Sequence, residues 1–147
     1  MSTITIKQIS SRETFPVRHP VLRLGKPIET CIFAGDDDVT TVHFGVYEND
    51  VLAGVLSVFE VLHPDFTEER QFQLRGMAIL PSYQKTGLGE QLLTAAENYI
   101  RQQDGKLIWF NAREIAVGFY KKAGYKIKNG PFPVQDIGPH YVMYKKL

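Results

Sequence analysis

The residues Gln84-Lys85-Thr86-Gly87-Leu88-Gly89 stand at the mouth of the amphipathic run GEQLLTAAENYIRQQDG. Glycines there permit positive φ and close approach, so that successive N–H groups can point at one anion. A helix start adds its partial positive charge, and Lys85 and Thr86 add a cation and a hydroxyl. Phosphate binding is the chemistry this suits. A Walker loop would need Lys after its last glycine, where Glu90 stands, and a dinucleotide fingerprint a third glycine, where Leu92 stands. A plain strand-to-helix turn is the alternative that the glycines alone leave open.

Two arginines raise a second question. Arg75 interrupts the apolar strand QFQLRGMAIL, and Arg113 directly follows the apolar run KLIWFNA. An arginine so placed needs a counter-anion or hydrogen-bonding partners. Guanidinium forks take carboxylate or phosphonate in bidentate fashion, and structural pairing with Asp or Glu is the competing explanation. Arg12, Arg18, Arg70 and Arg101 read as surface charges. The four histidines are scattered and no Cys/His cluster exists, so no metal site is expected. Cys31 is the only cysteine; it excludes an internal disulfide and reads as a small core residue.

The elements that must position these residues follow from periodicity. TITIKQI alternates as a half-buried strand, and SRETFPVRHPVLR reads as short helical pieces limited by Pro16 and Pro20, with Ser11 as N-cap. TTVHFGVYEND and VLAGVLSVFEVLH form a hairpin through residues 48–50. HPDFTEER is a loop, and Gly76 inside QFQLRGMAIL signals a bulge. Leu88, Leu92, Leu93, Ala96, Tyr99 and Ile100 share one helix face, stopped by Gly105. KLIWFNA is a strand buried on both faces, REIAVGFYKKAGY a shorter helix closed by Gly124, KIKNGPF a turn with a strand on one side, PVQDIGPH a loop and YVMYKKL a terminal strand. The order predicts one mixed α/β (α+β) domain over residues 1–147.

Composition narrows the partners. In 147 residues, 44% are apolar, 22% are charged and the net charge is +1, without a run of one sign. A nucleic-acid binder is not expected from this balance. No apolar run approaches the roughly 20 residues of a membrane span. The alternating, polar N-terminus is unlike a signal peptide, and a lone thiol fits a reducing cytoplasm.

The loop Gln84–Gly89, after the strand LRGMAILP, resembles the acetyl-CoA-binding segment of the GNAT superfamily of N-acetyltransferases, whose loop reads Q/R-x-x-G-x-G/A. GEQLLTAAENYI, KLIWFNA and AVGFYKKAGY are similar to the family's next helix, strand and helix, in that order. VLRLGKPIETCIF, QLRGMAIL, NAREIAVGFYKKAGY and IGPHYVMYKK resemble bacterial glyphosate N-acetyltransferases. The resemblance implies a mostly antiparallel sheet, flanked by helices and splayed between the fourth and fifth strands. Acetyl-CoA would be the co-substrate, its arm on Met77, Ala78, Ile79 and Asn111 and its pyrophosphate on Gln84, Lys85, Thr86, Gly87, Leu88, Gly89 and Glu90. It further implies an oxyanion role for the Met77 amide, Tyr120 as general acid, His140 as general base, and Arg23, Arg75 and Arg113 gripping a small anionic amine. His19, His43 and His63 have no matching role and read as structural. The regions HPDFTEER and NGPFPVQD differ from the glyphosate enzymes. A peptide or protein amine as acceptor, or a non-catalytic acyl-CoA-binding module, are the alternatives; a monomer or homodimer is expected.

Overall fold

The computed structural model describes residues 2–147. Seven strands form one sheet: β1 (Ile4–Ile9), β2 (Val42–Glu48), β3 (Val51–Phe59), β4 (Gln71–Ile79), β5 (Leu107–Arg113), β6 (Lys126–Val134) and β7 (Gly138–Lys146). The helices are α1 (Phe15–Leu22), α2 (Leu88–Gln102) and α3 (Val117–Lys122). The strand order is β1-β2-β3-β4-β5-β7-β6, and all neighbours are antiparallel except β4 and β5. That parallel pair is short, matching only Gln71–Gln73 with Leu107–Trp109. Beyond it the strands part, as expected for a sheet splayed at this point.

Local chemistry explains most elements. Asn49 and Asp50 both adopt positive φ, the conformation of a two-residue hairpin turn. Along α2, Leu88, Leu92, Leu93, Ala96 and Ile100 are buried at helical spacing. They cover Phe44, Leu56, Val58, Phe72, Leu74, Ile108, Phe110 and Met143 on one face of the sheet. The other face receives α1, whose Val17 packs on Val55 and Ala78.

Three sequence expectations are corrected. The first helical piece is capped one residue earlier than Ser11. The Ser10 N–H donates to Glu13 Oε1 at 2.9 Å and the Glu13 N–H to Ser10 Oγ at 3.2 Å, a capping box. The Ser11 hydroxyl instead reaches Asp37. PVQDIGPH is not a loop: β6 runs to Val134 and β7 starts at Gly138, leaving residues 135–137 as the turn. Prolines hid this hairpin. β6 is an edge strand, and β7 meets β5 only from His140 onward, so Pro131, Pro133 and Pro139 withhold no N–H that an inner ladder needs. Arg18 is not a surface charge but fully buried, because the segment after α1 folds back and meets its guanidinium with Asp36.

Candidate active site

The site is built around the bulge at Gly76. Arg75 pairs with Ser57 and Ala78 with Val55, so two residues of β4 oppose one of β3. Gly76 has φ +66°, and an added Cβ would lie 2.8 Å from the Phe33 ring. The extra residue inverts the alternation of side chains. Arg75 therefore points to the α1 face, whereas Met77 and Ile79 join the core under α2. One short stretch of strand thus serves both faces.

Its backbone also divides. The Leu80 N–H donates to Ala53 O at 2.8 Å. By alternation, the Ala78 groups face β3, while those of Ile79, and of Met77 before Ala78, face the open side beyond the β4–β5 pairing. Of the three strand residues expected to meet the co-substrate, Met77 and the Ile79 N–H thus lie on the open edge and Ala78 does not. The Ile79 carbonyl is taken by the Gln84 amide at 3.0 Å, which fastens the loop to the strand.

That loop is shaped for an anion. Lys85 and Gly87 have φ of +63° and +87°, and Gly87 is the N-cap of α2 without a side-chain hydrogen bond. The first backbone bond of the helix is Gln91 N–H to Gly87 O, so the N–H groups of Leu88, Gly89 and Glu90 have no helical acceptor. An added Cβ at Gly87 would meet nothing within 4 Å; at Gly89 it would lie 3.1 Å from the end of Met77. Lys85 is exposed and free to approach a phosphate. Thr86 is different: its hydroxyl donates to Tyr83 O at 2.5 Å, so it staples the turn and has no proton to offer a ligand. The open edge of β4 and the N–H cradle of α2 fit an extended amide chain ending in a pyrophosphate.

Tyr120 lies on the α2 face. Its ring packs 4.3 Å from Phe110, and its hydroxyl is 3.4 Å from Met77 Sδ at the opening. Burial pushes the phenol up to about 12. The backbone of Tyr120 accepts the Tyr125 N–H, and the Tyr125 hydroxyl is anchored on Glu97 at 2.7 Å, so α3 is tied to α2.

His140 and Arg113 lie on the opposite face. They are cross-strand partners in β7 and β5, on the same side as Trp109 and Asn111. His140 is buried, in strand rather than loop, while Arg113 and Asn111 are exposed. His140 Nδ1 lies 3.0 Å from Gly138 O. A carbonyl only accepts, so Nδ1 carries the hydrogen and the neutral ring presents its lone pair at Nε2.

Arg23 and Arg75 meet at Phe33, their guanidinium carbons 5.2 and 5.1 Å from the ring centroid. Arg23 donates to the carbonyls of Thr30 and Leu22. Among the described residues, neither has a carboxylate within ion-pairing distance, and nor does Arg113. Burial pulls the Arg75 guanidinium below its ordinary value, with Asp36 opposing and Arg18 and Arg23 adding to the shift. The four residues expected to meet the acceptor therefore form two pairs on one face, Arg23 with Arg75 and Arg113 with His140, on opposite sides of the β4–β5 opening.

Beneath them lies a network that sequence reasoning missed. Arg18 pairs bidentately with Asp36 at 2.7 and 3.0 Å and donates to Ser57 Oγ and Cys31 O. Ser57 in turn meets His43 Nδ1 at 2.6 Å, and His43 Nε2 meets Asp36 O at 2.9 Å. His43 is structural, as expected, and Cys31 is a fully buried core residue whose thiol burial pushes up. The available signal was two polar residues, His43 and Ser57, facing each other in apolar strands.

Comparison with known proteins agrees with this architecture. Residues 6–125 match the acetyltransferase (GNAT) family. The uncharacterised N-acetyltransferase YitI of Bacillus subtilis is 35% identical over 144 residues, covering 98% of this chain and 97% of that protein. An aminoglycoside 6'-N-acetyltransferase solved with coenzyme A superposes with a TM-score of 0.76 at 15% identity, covering 97% and 96% of the two chains. The ribosomal-protein-S18-alanine N-acetyltransferase of Escherichia coli does so with 0.74 at 18%, covering 98% and 94%. These structures, at such identities, speak for the fold alone. The family match and the shared sequence with YitI carry the conclusion that the chain belongs to the GNAT family of acetyl-CoA-dependent acetyltransferases.

Proposed function

We propose that this acetyltransferase acts on the amine of a small acceptor bearing carboxylate or phosphonate groups, as the resemblance to glyphosate N-acetyltransferases implies. The observation that carries the reading is the placement of Arg23 and Arg75 around Phe33 with no carboxylate partner, on the same face as Arg113 and His140. Half-buried guanidinium groups without counter-ions are suited to take an incoming carboxylate or phosphonate.

Transfer is direct through the opening between β4 and β5. His140 Nε2 takes the proton of the acceptor's ammonium on the α1 face. The Met77 N–H points toward the oxygen that gains charge during attack. Tyr120, across the opening, supplies a proton to the departing sulfur. A phenol near 12 gives its proton to a thiolate of ordinary basicity at a cost of about 5 kcal/mol. That fits under the roughly 16 kcal/mol barrier of an enzyme turning over about ten times per second. Met77, Ile79 and the cradle from Gln84 to Glu90 hold the co-substrate, and Asn111 lines the same opening.

The experiment is acetyl-CoA turnover with a panel of amino acids and aminophosphonates, against peptides with free N-termini or lysines. Acetylation of anionic amines is expected. Turnover of peptides alone would sink the acceptor assignment, and coenzyme binding without turnover of anything would leave a non-catalytic module.

A further inference from the structure

Arg18 and Asp36 touch no solvent-facing part of the site, yet they lie directly under it. Arg18 uses both Nη groups: Nη1 on Asp36 Oδ2 and Cys31 O, Nη2 on Asp36 Oδ1 and Ser57 Oγ. Asp36 Oδ2 also accepts the Phe33 N–H at 2.9 Å, and the Asp36 N–H donates to Phe33 O at 3.0 Å. Phe33 is therefore gripped by its own backbone. Its ring has Arg18 at 3.9 Å, with Arg23 and Arg75 also set against it. We propose that the Arg18–Asp36 pair, acting through Phe33, is a positioning device that orders Arg23 and Arg75 for the acceptor's anion; this rests on the acceptor reading above.

The charges make such a device necessary. Arg18, Arg23 and Arg75 surround one ring, and among the described residues Asp36 is the single carboxylate paired with any of them. Asp36 neutralises Arg18 and, with Cys31 O and Ser57 Oγ, saturates its Nη donors; among the described residues the buried Nε–H has no partner. Arg18 cannot then compete for an incoming anion, and the excess charge belongs to Arg23 and Arg75. Those two repel each other, and solvent would draw them apart. The negative face of an aromatic ring offsets that tendency and fixes where the guanidinium planes lie. Phe33 also fills the space beside Gly76, so the ring that steadies the arginines abuts the bulge that presents Met77.

The test compares Phe33→Leu, Phe33→Tyr and Asp36→Asn with the unaltered protein. Steady-state kinetics with an anionic acceptor are measured alongside order parameters of the arginine Nε–H groups by NMR without substrate. Phe33→Leu is expected to raise the acceptor KM about tenfold, to leave the acetyl-CoA KM within about twofold, and to loosen Arg23 and Arg75. Phe33→Tyr restores both readouts, and Asp36→Asn, where it folds, shifts them in the same direction as Phe33→Leu. Unchanged arginine order in Phe33→Leu overturns the proposal, as does an equal rise of both KM values, which is what a merely structural ring predicts. If the unaltered protein acetylates no anionic amine, the acceptor reading fails on its own; the NMR comparison still decides whether Phe33 orders the arginines.

Discussion

Leu92 and Arg18 are both fully buried, on opposite faces of one sheet. Leu92 belongs to a periodic apolar stripe and needs only contact with other apolar groups. Arg18 needs a partner of opposite charge, a carbonyl and a hydroxyl, the first two from the segment after α1 and the third from β3. The α2 face is thus held by many interchangeable contacts, and the α1 face by a few specific ones. The proposed acceptor chemistry accompanies the second kind. The arginines and His140 share the face of the polar network, whereas Tyr120 is embedded in the apolar one. The opening at β4–β5 is where the two meet.

Substitutions on the two faces are expected to fail differently. The largest effect is on rate. His140→Ala is expected to lower kcat at neutral pH by about 10²- to 10⁴-fold, with thermal unfolding little changed. Unchanged turnover would remove His140 as the base. Next come stabilities. Asp36→Ala leaves Arg18 charged and unpaired and is expected to cost about 3–5 kcal/mol. Leu92→Ala creates a cavity and costs about 2–5 kcal/mol. Denaturant unfolding measures both, and kinetics at low temperature separates them: Leu92→Ala keeps its acceptor KM, whereas Asp36→Ala raises it. Equal KM values would collapse the contrast between the faces. Arg75→Ala is smaller, raising the acceptor KM about 10- to 100-fold through loss of a charged hydrogen bond, with little change for acetyl-CoA. If both KM values rise together, Arg75 belongs to the framework rather than to the acceptor.

The same contrast decides what was legible in the sequence. α2 and the hairpin at Asn49-Asp50 could be read because period and turn chemistry are local. Gly76 announced its bulge, but the inversion of faces that follows depends on the β3 register. Arg18 and Asp36 were opaque. They are 18 residues apart and joined only in three dimensions, so no window of sequence contains their reason for being buried. The β6–β7 hairpin was hidden by prolines that only a strand order makes acceptable. For the candidate site, residue chemistry alone pointed to an anion cradle at residues 84–89 and to arginines in want of partners. The roles proposed for Tyr120 and His140 needed the family resemblance, because a tyrosine on a helix and an isolated histidine carry no pattern of their own.

The smallest effect concerns the apolar face and the buried phenol of Tyr120. Burial pushes Tyr120 up to about 12, while an unfolded tyrosine titrates near 10. Between about pH 10 and pH 12 the unfolded chain therefore loses a proton that the folded chain keeps. The unfolded state binds fewer protons there, so stability falls as pH rises, by at most about 1.4 kcal/mol per pH unit for this group. Tyr125 is pushed up as well, by burial first and then by its bond to Glu97, and adds to the fall. Tyr120→Phe removes one of these two groups. Its unfolding free energy is expected to decline less steeply over that range, while at pH 7 it stays near that of the unaltered protein, because the ring and its packing on Phe110 are retained. Denaturant titrations at neutral and alkaline pH measure the slope. Identical slopes for the two proteins would mean that the Tyr120 hydroxyl reaches solvent through the opening, and that its face of the sheet is as wet there as the other.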